Sequence, residues 1–295
     1  LVFMENKMTD SQPGQNVNPL KKYYRQPKQF VKLPSGYKFY SEGSIQVPES
    51  GEVAVYPMTA KDELLLKTPD ALLNGEATVS VIQSCIPSIK NAWEMPSIDC
   101  DAALMTIRMA TYGTSMTVAI KVPGTSIEKD LVLNLQDSLS SILSAQYNDT
   151  FFYQNMEVKT KPLTYKEFTQ SAIQTFEQQR IQKIVDDTEM NDEEKIAQFQ
   201  KTFKKLTNLS IGMVANTIAS ITVDGETVSD IKQIAEFLDN TDKQFFSSIM
   251  EHLEKNREAF QLKPQKATST EEEVKNGAPA EYTIPIAFDS ANFFV

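Results

Sequence analysis

The fold of this chain is decided by residues 55–90, V-Y-P-M-T-A-K-D-E-L-L-L-K-T-P-D-A-L-L-N-G-E-A-T-V-S-V-I-Q-S-C-I-P-S-I-K, and by residues 99–113, D-C-D-A-A-L-M-T-I-R-M-A-T-Y-G. Thr59 stands three residues before Asp62. At that spacing the threonine hydroxyl accepts a hydrogen bond from an unpaired amide of a first helical turn, and the carboxylate faces the positive end of the helix dipole. The spacing predicts a helix that begins at about Ala60.

More helices are predicted in the same stretch. Thr68-Pro69 is typical of a helix start and Asn74-Gly75 of a helix end, which predicts a second short helix. Residues 76–85 are predicted to be helical, and apolar residues recur at helical spacing from Asp99 until Gly113. Together these segments predict a compact helical cluster.

Three strings within this cluster resemble a known family. They are P-M-T-A-K-D-E-L-L-L (57–66), T-P-D-A-L-L-N-G-E-A-T (68–78) and I-R-M-A-T-Y-G (107–113). They are similar to the baseplate hub assembly proteins of contractile-tailed bacteriophages of the T-even type. The resemblance extends from about residue 33 to residue 295 and includes, in the family's order, L-P-S-G-Y-K-F-Y (33–40), P-L-T-Y-K-E-F (162–168) and F-D-S-A-N-F-F (288–294).

The resemblance implies a function in building a phage tail through protein–protein binding. It implies a hub subunit or a hub assembly factor, and a transient chaperone of the tape-measure protein is an alternative. The implied partners are other baseplate hub proteins or the tape-measure protein, with self-association as a further candidate. The implied locations are the host cytoplasm during assembly and the baseplate of the virion tail.

Composition narrows the class of protein. The chain has 41% hydrophobic and 23% charged residues, which is typical of a soluble globular protein, and no apolar run is long enough for a membrane helix. Its net charge of −10 disfavours nucleic-acid binding through phosphate contacts. Residues 1–3 lack the features of a signal peptide, and Met4 is a plausible start.

The predicted fold class is α+β. Small antiparallel β elements and a helical cluster come first, followed by a mainly helical bundle region and a C-terminal edge strand. The predicted domains are a flexible basic arm (1–32), an α+β domain (33–161), a helical domain (162–262), and a linker with a C-terminal strand that packs back (263–295). Residues 4–32 are expected to have little fixed structure because turn formers and polar residues dominate them.

Near-alternating apolar residues predict strands between 36 and 56 and a hairpin between 116 and 132. A short helix at 138–146, capped by Asp137, is predicted next, and a long helix is predicted from Tyr165 to about Asp186. A helix capped by Asn191 is predicted to run towards Ile218, and two more are predicted to start at Ser229 and Thr241. Asp224-Gly225 is predicted to be a two-residue turn. Residues 263–280 are predicted to be a linker or long exposed loop. Tyr282–Phe288 is predicted to be an edge strand, because Pro285 lacks an amide donor.

Residues 1–40 are basic although the whole chain is acidic, with seven basic side chains against two acidic ones. A solvated tail, docking on an acidic protein surface, and stacking on a single strand of nucleic acid are the three interpretations. The candidate partner-binding residues lie in this arm, at the corner before the first helix and near residue 295: Lys21, Lys22, Tyr23, Tyr24, Arg25, Pro57, Met58, Thr59, Lys61, Phe293 and Phe294.

An internal echo links two corners of the chain. T-K-P-L-T-Y-K-E-F (160–168) repeats V-Y-P-M-T-A-K-D-E (55–63): each has a strand end, a proline, a capping threonine and an acid three residues later. Thr164 and Glu167 form a predicted capping box. Either both corners present one docking geometry to repeated partners, or one local solution to folding is used twice.

The sequence predicts no catalytic, cofactor or metal site. His252 is the only histidine, and the two cysteines, Cys85 and Cys100, are expected to be buried. The acid pairs Asp62/Glu63, Asp99/Asp101 and Glu193/Glu194 lie at or near predicted helix starts, where the dipole accounts for them. A hub-associated hydrolase and a nucleic-acid-binding module that uses the arm remain as alternatives.

Several relatives in the resembled family place a C-x-x-C knuckle, suited to Zn²⁺, in the hairpin turn and a second one before the C-terminal aromatic string. This chain has V-P-G-T-S-I (122–127) and E-V-K-N-G-A-P-A-E (273–281) at those places. Neither string offers a thiolate or imidazole. The chain therefore departs from the family here, and ordinary packing is expected to hold both turns.

Overall fold

The structure is a computed structural model and describes residues 18–67, 75–170 and 192–284. The helix predicted at Thr68–Gly75, most of the long helix to Asp186, the cap at Asn191 and the strand beyond Ile284 lie outside these residues. The described part combines helices with small antiparallel sheets, so the predicted α+β class is confirmed.

Four helices build the first hydrophobic cluster: α1 (Ala60–Leu66), α2 (Glu76–Cys85), α3 (Ser97–Tyr112) and α4 (Leu135–Leu143). Helix α1 begins where predicted, and α3 ends before Gly113, whose φ of 93° suits a residue without a Cβ. Helix α4 starts at Leu135 rather than Ser138, because the Asn134 side chain accepts a hydrogen bond from the Gln136 amide and forms the cap.

The first sheet pairs β1 (Gln29–Val31) with β2 (Val53–Val55) in antiparallel register. The prediction of strands throughout 36–56 is therefore only partly correct: Ile45 makes an isolated bridge to Ile89, and Phe39 has a φ of 69° that no strand contains. The arm was expected to have little fixed structure. From residue 18 onward it does not fit that expectation, because it forms a 3-10 helix (Pro19–Tyr23) and β1, which buries Val31.

Strands β3 (Ser115–Lys121) and β4 (Glu128–Asn134) form the predicted hairpin. A four-stranded antiparallel sheet follows in the order β5 (Thr150–Tyr153), β6 (Met156–Thr160), β7 (Ile218–Val223) and β8 (Glu226–Val228). The predicted Asp224-Gly225 turn joins β7 and β8, with positive φ at both residues. Strand β6 pairs with β7, so residues 150–160 share a sheet with residues that follow the predicted domain boundary at 161. The domain boundaries themselves remain a prediction.

Helices α5 (Asp192–Thr217), α6 (Ile231–Asn240) and α7 (Lys243–Ala259) supply most of a second hydrophobic cluster with this sheet. Helices α6 and α7 are capped by Asp230 and Asp242, each one residue after the predicted start, because an aspartate carboxylate accepts from the first-turn amides.

The prediction of a linker or long exposed loop at 263–280 is wrong. This segment contains β9 (Gln265–Thr268) and α8 (Glu271–Lys275), and β9 pairs with β10 (Glu281–Ile284). A capping box between Thr270 and Glu273 starts α8. The segment is anchored by a third hydrophobic cluster, whose buried members are Val122, Ala278, Tyr282 and Ile284.

Candidate functional site

The Arg25 side chain fastens the arm to the corner that precedes α1. Its Nη1 donates to the carbonyl oxygen of Pro57 and, at 3.3 Å, to Oδ2 of Asp62. Its Nη2 donates to the carbonyl oxygen and to the hydroxyl of Ser84, both at 2.8 Å. The guanidinium carbon also lies 5.8 Å from the centre of the Tyr56 ring. One planar cation therefore holds together the arm, the corner and the end of α2.

The corner itself is held by the predicted Thr59 cap, which the Asp62 side chain completes to a capping box. The amide of Thr59 donates to Oδ2 of Asp62 at 2.8 Å, and the amide of Asp62 donates to the Thr59 hydroxyl at 3.2 Å. The Ser84 hydroxyl donates to the same carboxylate at 3.1 Å. Because Asp62 is buried, its charge requires these donors and Arg25 as a partner.

The part of the arm just before Arg25 keeps its large apolar and basic side chains in solvent. Tyr23 is 75% exposed and Tyr24 is 56% exposed, and Nζ of Lys22 lies 4.9 Å from the centre of the Tyr23 ring. On the corner, Thr59 and Lys61 are exposed. We define the arm–corner surface by the exposed side chains of both segments: Leu20, Lys21, Lys22, Tyr23, Tyr24, Thr59, Lys61 and Leu64.

The candidate contact residues thus separate into groups. Lys21, Lys22, Tyr23 and Tyr24 are exposed on the segment before Arg25, and Thr59 and Lys61 are exposed on the corner to which Arg25 bonds. Met58 belongs to the first hydrophobic cluster, with 8% of its surface exposed, so its inclusion as a contact residue is corrected. Arg25 serves the fold through its network, and Pro57 supplies a carbonyl oxygen to it. Phe293 and Phe294 lie outside the described residues, and their burial stays a prediction.

Two members of this surface, Leu20 and Leu64, were not predicted, although both are about as exposed as Tyr24 or more so. Leu64 is one of three consecutive leucines, and Leu66 from the same run is buried. It lies three residues after Lys61, on the same face of α1. Counting helical positions from the capped start at Ala60 could have predicted that Leu64 is exposed.

The second corner of the internal echo behaves differently. Its capping box forms, since the Thr164 amide donates to Glu167 at 2.8 Å and the Glu167 amide donates to the Thr164 hydroxyl at 3.2 Å. However, Pro162 is buried, and the amide of Tyr165 donates to the carbonyl of Met95 at 2.7 Å. This corner packs within the chain, which favours the interpretation of one local folding solution used twice.

The candidate catalytic side chains His252 and Asp99 make contacts within the fold. His252 lies against the Phe151 ring with its Nε2 atom 3.2 Å from both Thr160 Oγ1 and Asn256 Nδ2, and desolvation lowers its pKa. Asp99 is buried and accepts hydrogen bonds from Ser35 and Tyr40. Within residues 18–67, 75–170 and 192–284, no group of three or more histidine, cysteine or acidic side chains could hold a metal ion.

Both cysteines are free and buried, as expected. Desolvation, reinforced by the nearby Asp62 carboxylate, raises the pKa of Cys85 to about 11. Burial also raises the pKa of Cys100 well above its usual value. Since the thiolate is the reactive form, neither side chain resembles a nucleophile.

The turn between β3 and β4 and the turn after α8 lie against each other. A Cβ on Gly124 would come within 2.5 Å of the Gly277 carbonyl oxygen, so the backbones are in close contact. Beside them, Nζ of Lys129 bonds Oε1 of Glu273 at 2.6 Å, and Tyr282 packs on Val122 and Ala278. A backbone contact, an ion pair and a small apolar cluster thus hold these two turns, in which no zinc site was expected.

A family model described as T4 bacteriophage base plate protein matches residues 27–276. The chain belongs to this T4 base plate protein family. The match includes the corner, α1–α8 and the four-stranded sheet, and it begins within the arm. No curated protein and no solved structure matched the chain.

Family membership gives this protein a structural or assembly role in a phage baseplate, in contact with other phage proteins. The virion tail baseplate is the location that the family indicates. Among its described helices, none is both long and apolar enough to span a bilayer.

Proposed function

We propose that this base plate protein is a hub subunit or a hub assembly factor that binds another tail protein through the arm–corner surface. The assignment to the hub is supported by the ordered strings of the corner, α1 and α3, which resemble hub assembly proteins. The contact surface is supported by the Arg25 network, which is the observation that carries the proposal.

The Arg25 network matters because it removes the main cost of binding through an arm. A solvated tail loses conformational entropy when it docks, whereas residues next to Arg25 are already held against the corner. The exposed tyrosines supply large apolar contacts with few rotatable bonds. Lys21 and Lys22 precede them in the chain, and Lys61 is exposed on the corner, so both segments carry positive charge. The surface fits a partner with an apolar patch and an acidic rim.

The test is an affinity pull-down from infected-cell lysate with the full chain, its Tyr23→Ala/Tyr24→Ala variant and a Phe152→Ala variant. Phe152 is a matched control because it is 68% exposed but lies on the four-stranded sheet. We expect capture of the hub or tape-measure protein to fall about tenfold or more in the tyrosine variant only. Equal capture by all three proteins would remove the arm–corner surface from the proposal.

Quantitative mass spectrometry of purified virions separates the two hub roles. A chain present at a few copies per particle is a structural hub subunit. Capture of hub or tape-measure protein from lysate, together with absence from virions, would assign a transient chaperone instead. Nuclease treatment of the lysate tests the remaining interpretation of the arm, because binding mediated by nucleic acid would be lost and protein binding would persist.

A further inference from the structure

Helix α5 carries three large apolar side chains that face solvent in one row. Ile196 and Phe203 are each 57% exposed, and Phe199 is 39% exposed. Their spacing of three and four residues places them on one face of the helix. The Phe199 and Phe203 rings lie nearly parallel, with their centroids 6.0 Å apart. We call these three residues the α5 stripe.

The α5 stripe lies apart from the packed end of its helix. Ile211, Val214 and Ala215, near the C-terminal end of α5, pack in the second hydrophobic cluster. None of the three clusters formed by the described residues contains a member of the stripe. An exposed apolar row of this kind is typical of a protein interaction surface. Its spacing matches heptad positions a, d and a, the positions that a second helix covers.

The charges of α5 indicate which kind of helix fits. Residues 195–217 contain four lysines and no acidic residue, although the whole chain has a net charge of −10. Lys195 precedes Ile196, and Lys204 follows Phe203. Because neighbouring positions of a helix lie about 100° apart, these two lysines flank the stripe on opposite sides. The acids of α5, at 192–194, are confined to its first turn, where the helix dipole stabilises them.

We propose that the α5 stripe docks an amphipathic helix of another protein, one whose apolar face is flanked by acidic side chains. The apolar face would remove the stripe from water, and the acids would pair with Lys195 and Lys204. A second copy of α5 does not fit, because two such helices would bring lysines together. The stripe is on a different element from the arm–corner surface, so this inference goes beyond the proposed function and is tested separately.

Binding of two designed peptides to the full chain tests the proposal. Both have three heptads with leucine at positions a and d; the acidic peptide has glutamate at e and g, and the basic peptide has lysine there. Fluorescence anisotropy of the labelled peptides gives the Kd of each. We expect the acidic peptide to bind at least about tenfold more tightly than the basic one. General attraction of charge cannot produce this preference, because the net charge of the chain is negative.

A phenylalanine variant locates the apolar contact. Phe199→Ala/Phe203→Ala should weaken binding of the acidic peptide about tenfold, whereas Phe152→Ala, on the four-stranded sheet, should not. Since both rings are exposed, the double variant should melt within about 2 °C of the parent. A thermal midpoint lower by about 5 °C or more would place the rings in the chain's own core and overturn the proposal.

A lysine variant locates the charge. Lys195→Glu/Lys204→Glu should reverse the preference between the two peptides. Lys201→Glu/Lys205→Glu makes the same change of charge on the other side of α5 and should preserve the preference. The proposal is overturned if the acidic peptide fails to bind, or if it binds the parent and the phenylalanine variant equally. Sedimentation that shows a dimer of the parent but not of the phenylalanine variant would also overturn it and assign the stripe to a second copy.

Discussion

At the scale of single residues, the Arg25 guanidinium is the contact on which the arm depends. It bonds two backbone carbonyls, a hydroxyl and the buried Asp62 carboxylate, so its loss would leave a buried charge with weaker compensation. We expect Arg25→Gln to lower the free energy of unfolding by about 2 kcal/mol, measured by urea denaturation.

Arg257→Gln is the control for this prediction, because Arg257 pairs with Glu254 on an exposed face of α7. Exposed pairs contribute little, so this variant should differ from the parent by less than about 1 kcal/mol. Equal effects of the two substitutions would show that the Arg25 network adds no more than a surface ion pair. Deleting the arm up to residue 30 would not be an equivalent test of Arg25, because it also removes two of the three residues of β1.

Asp99 and Asp101 give the protein an expected dependence on pH. Burial raises the pKa of each carboxyl to about 6, and the Asp101 carboxylate has no hydrogen bond or ion pair to another described residue. A raised folded-state pKa means that the folded protein holds the proton more tightly than the unfolded chain. The stability that each of these carboxyls contributes is therefore complete below about pH 4 and is lost as pH rises to about 6.

Asp101→Asn isolates this effect. Relative to the parent, the variant should gain about 2 kcal/mol in free energy of unfolding between pH 4 and pH 7, because its amide does not ionise. Asp130→Asn, at an exposed position on β4, should show no such gain. Unfolding curves measured at several pH values test both. A difference between Asp101→Asn and the parent that stays constant with pH would contradict the prediction.

At the scale of elements, the close contact between Gly124 and Gly277 joins the β3–β4 turn to the turn after α8. We expect Gly124→Ala to lower the free energy of unfolding by about 3 kcal/mol, because the new Cβ would meet backbone and the φ of +77° disfavours it. Gly225→Ala has a similar φ but open space, so it should cost about 1 kcal/mol. Thermal melts of both variants would reveal equal losses if the contact contributes nothing.

Elements specified by bonds between near neighbours were the most predictable. The capping box at Thr59, the helix end at Gly113 and the 116–132 hairpin all follow from residues a few positions apart. The same rule would have found α8, since Thr270 and Glu273 have capping-box spacing. Proline, glycine and charged residues around them indicated a linker instead, and the packing of Tyr282 on the hairpin outweighed that local composition.

At the scale of the whole molecule, contacts between residues far apart in the chain could not be predicted from the sequence. Seven basic residues occur in positions 1–40, and nothing local indicated that Arg25 would bind the corner. The candidate residues of the arm and corner were each predicted, but their union into one surface depends on that contact. Likewise, β1 could have paired with any extended segment, and burial of Val31 in the first cluster selects β2.

Helix α7 and its C-cap contribute side chains to both large hydrophobic clusters. Helix α7 carries Ile249, which is wholly buried in the second cluster, and its C-cap residue, Phe260, is buried in the first. Unravelling α7 would expose side chains from both clusters. We therefore expect Ile249→Ala to lower the urea midpoint reported by Trp93 fluorescence as well as that reported by far-UV circular dichroism. Trp93 is the only tryptophan and packs against the first cluster.

The expected loss for Ile249→Ala is about 3 kcal/mol, as for other large buried side chains truncated to alanine. Met250→Ala, at the next and 43% exposed position of the same helix, should cost less than about 1 kcal/mol. If the Trp93 transition is unchanged in Ile249→Ala while the dichroism transition shifts, the clusters unfold independently. Coincident shifts mean that partner binding at the arm–corner surface, which rests on the first cluster, also stabilises the four-stranded sheet.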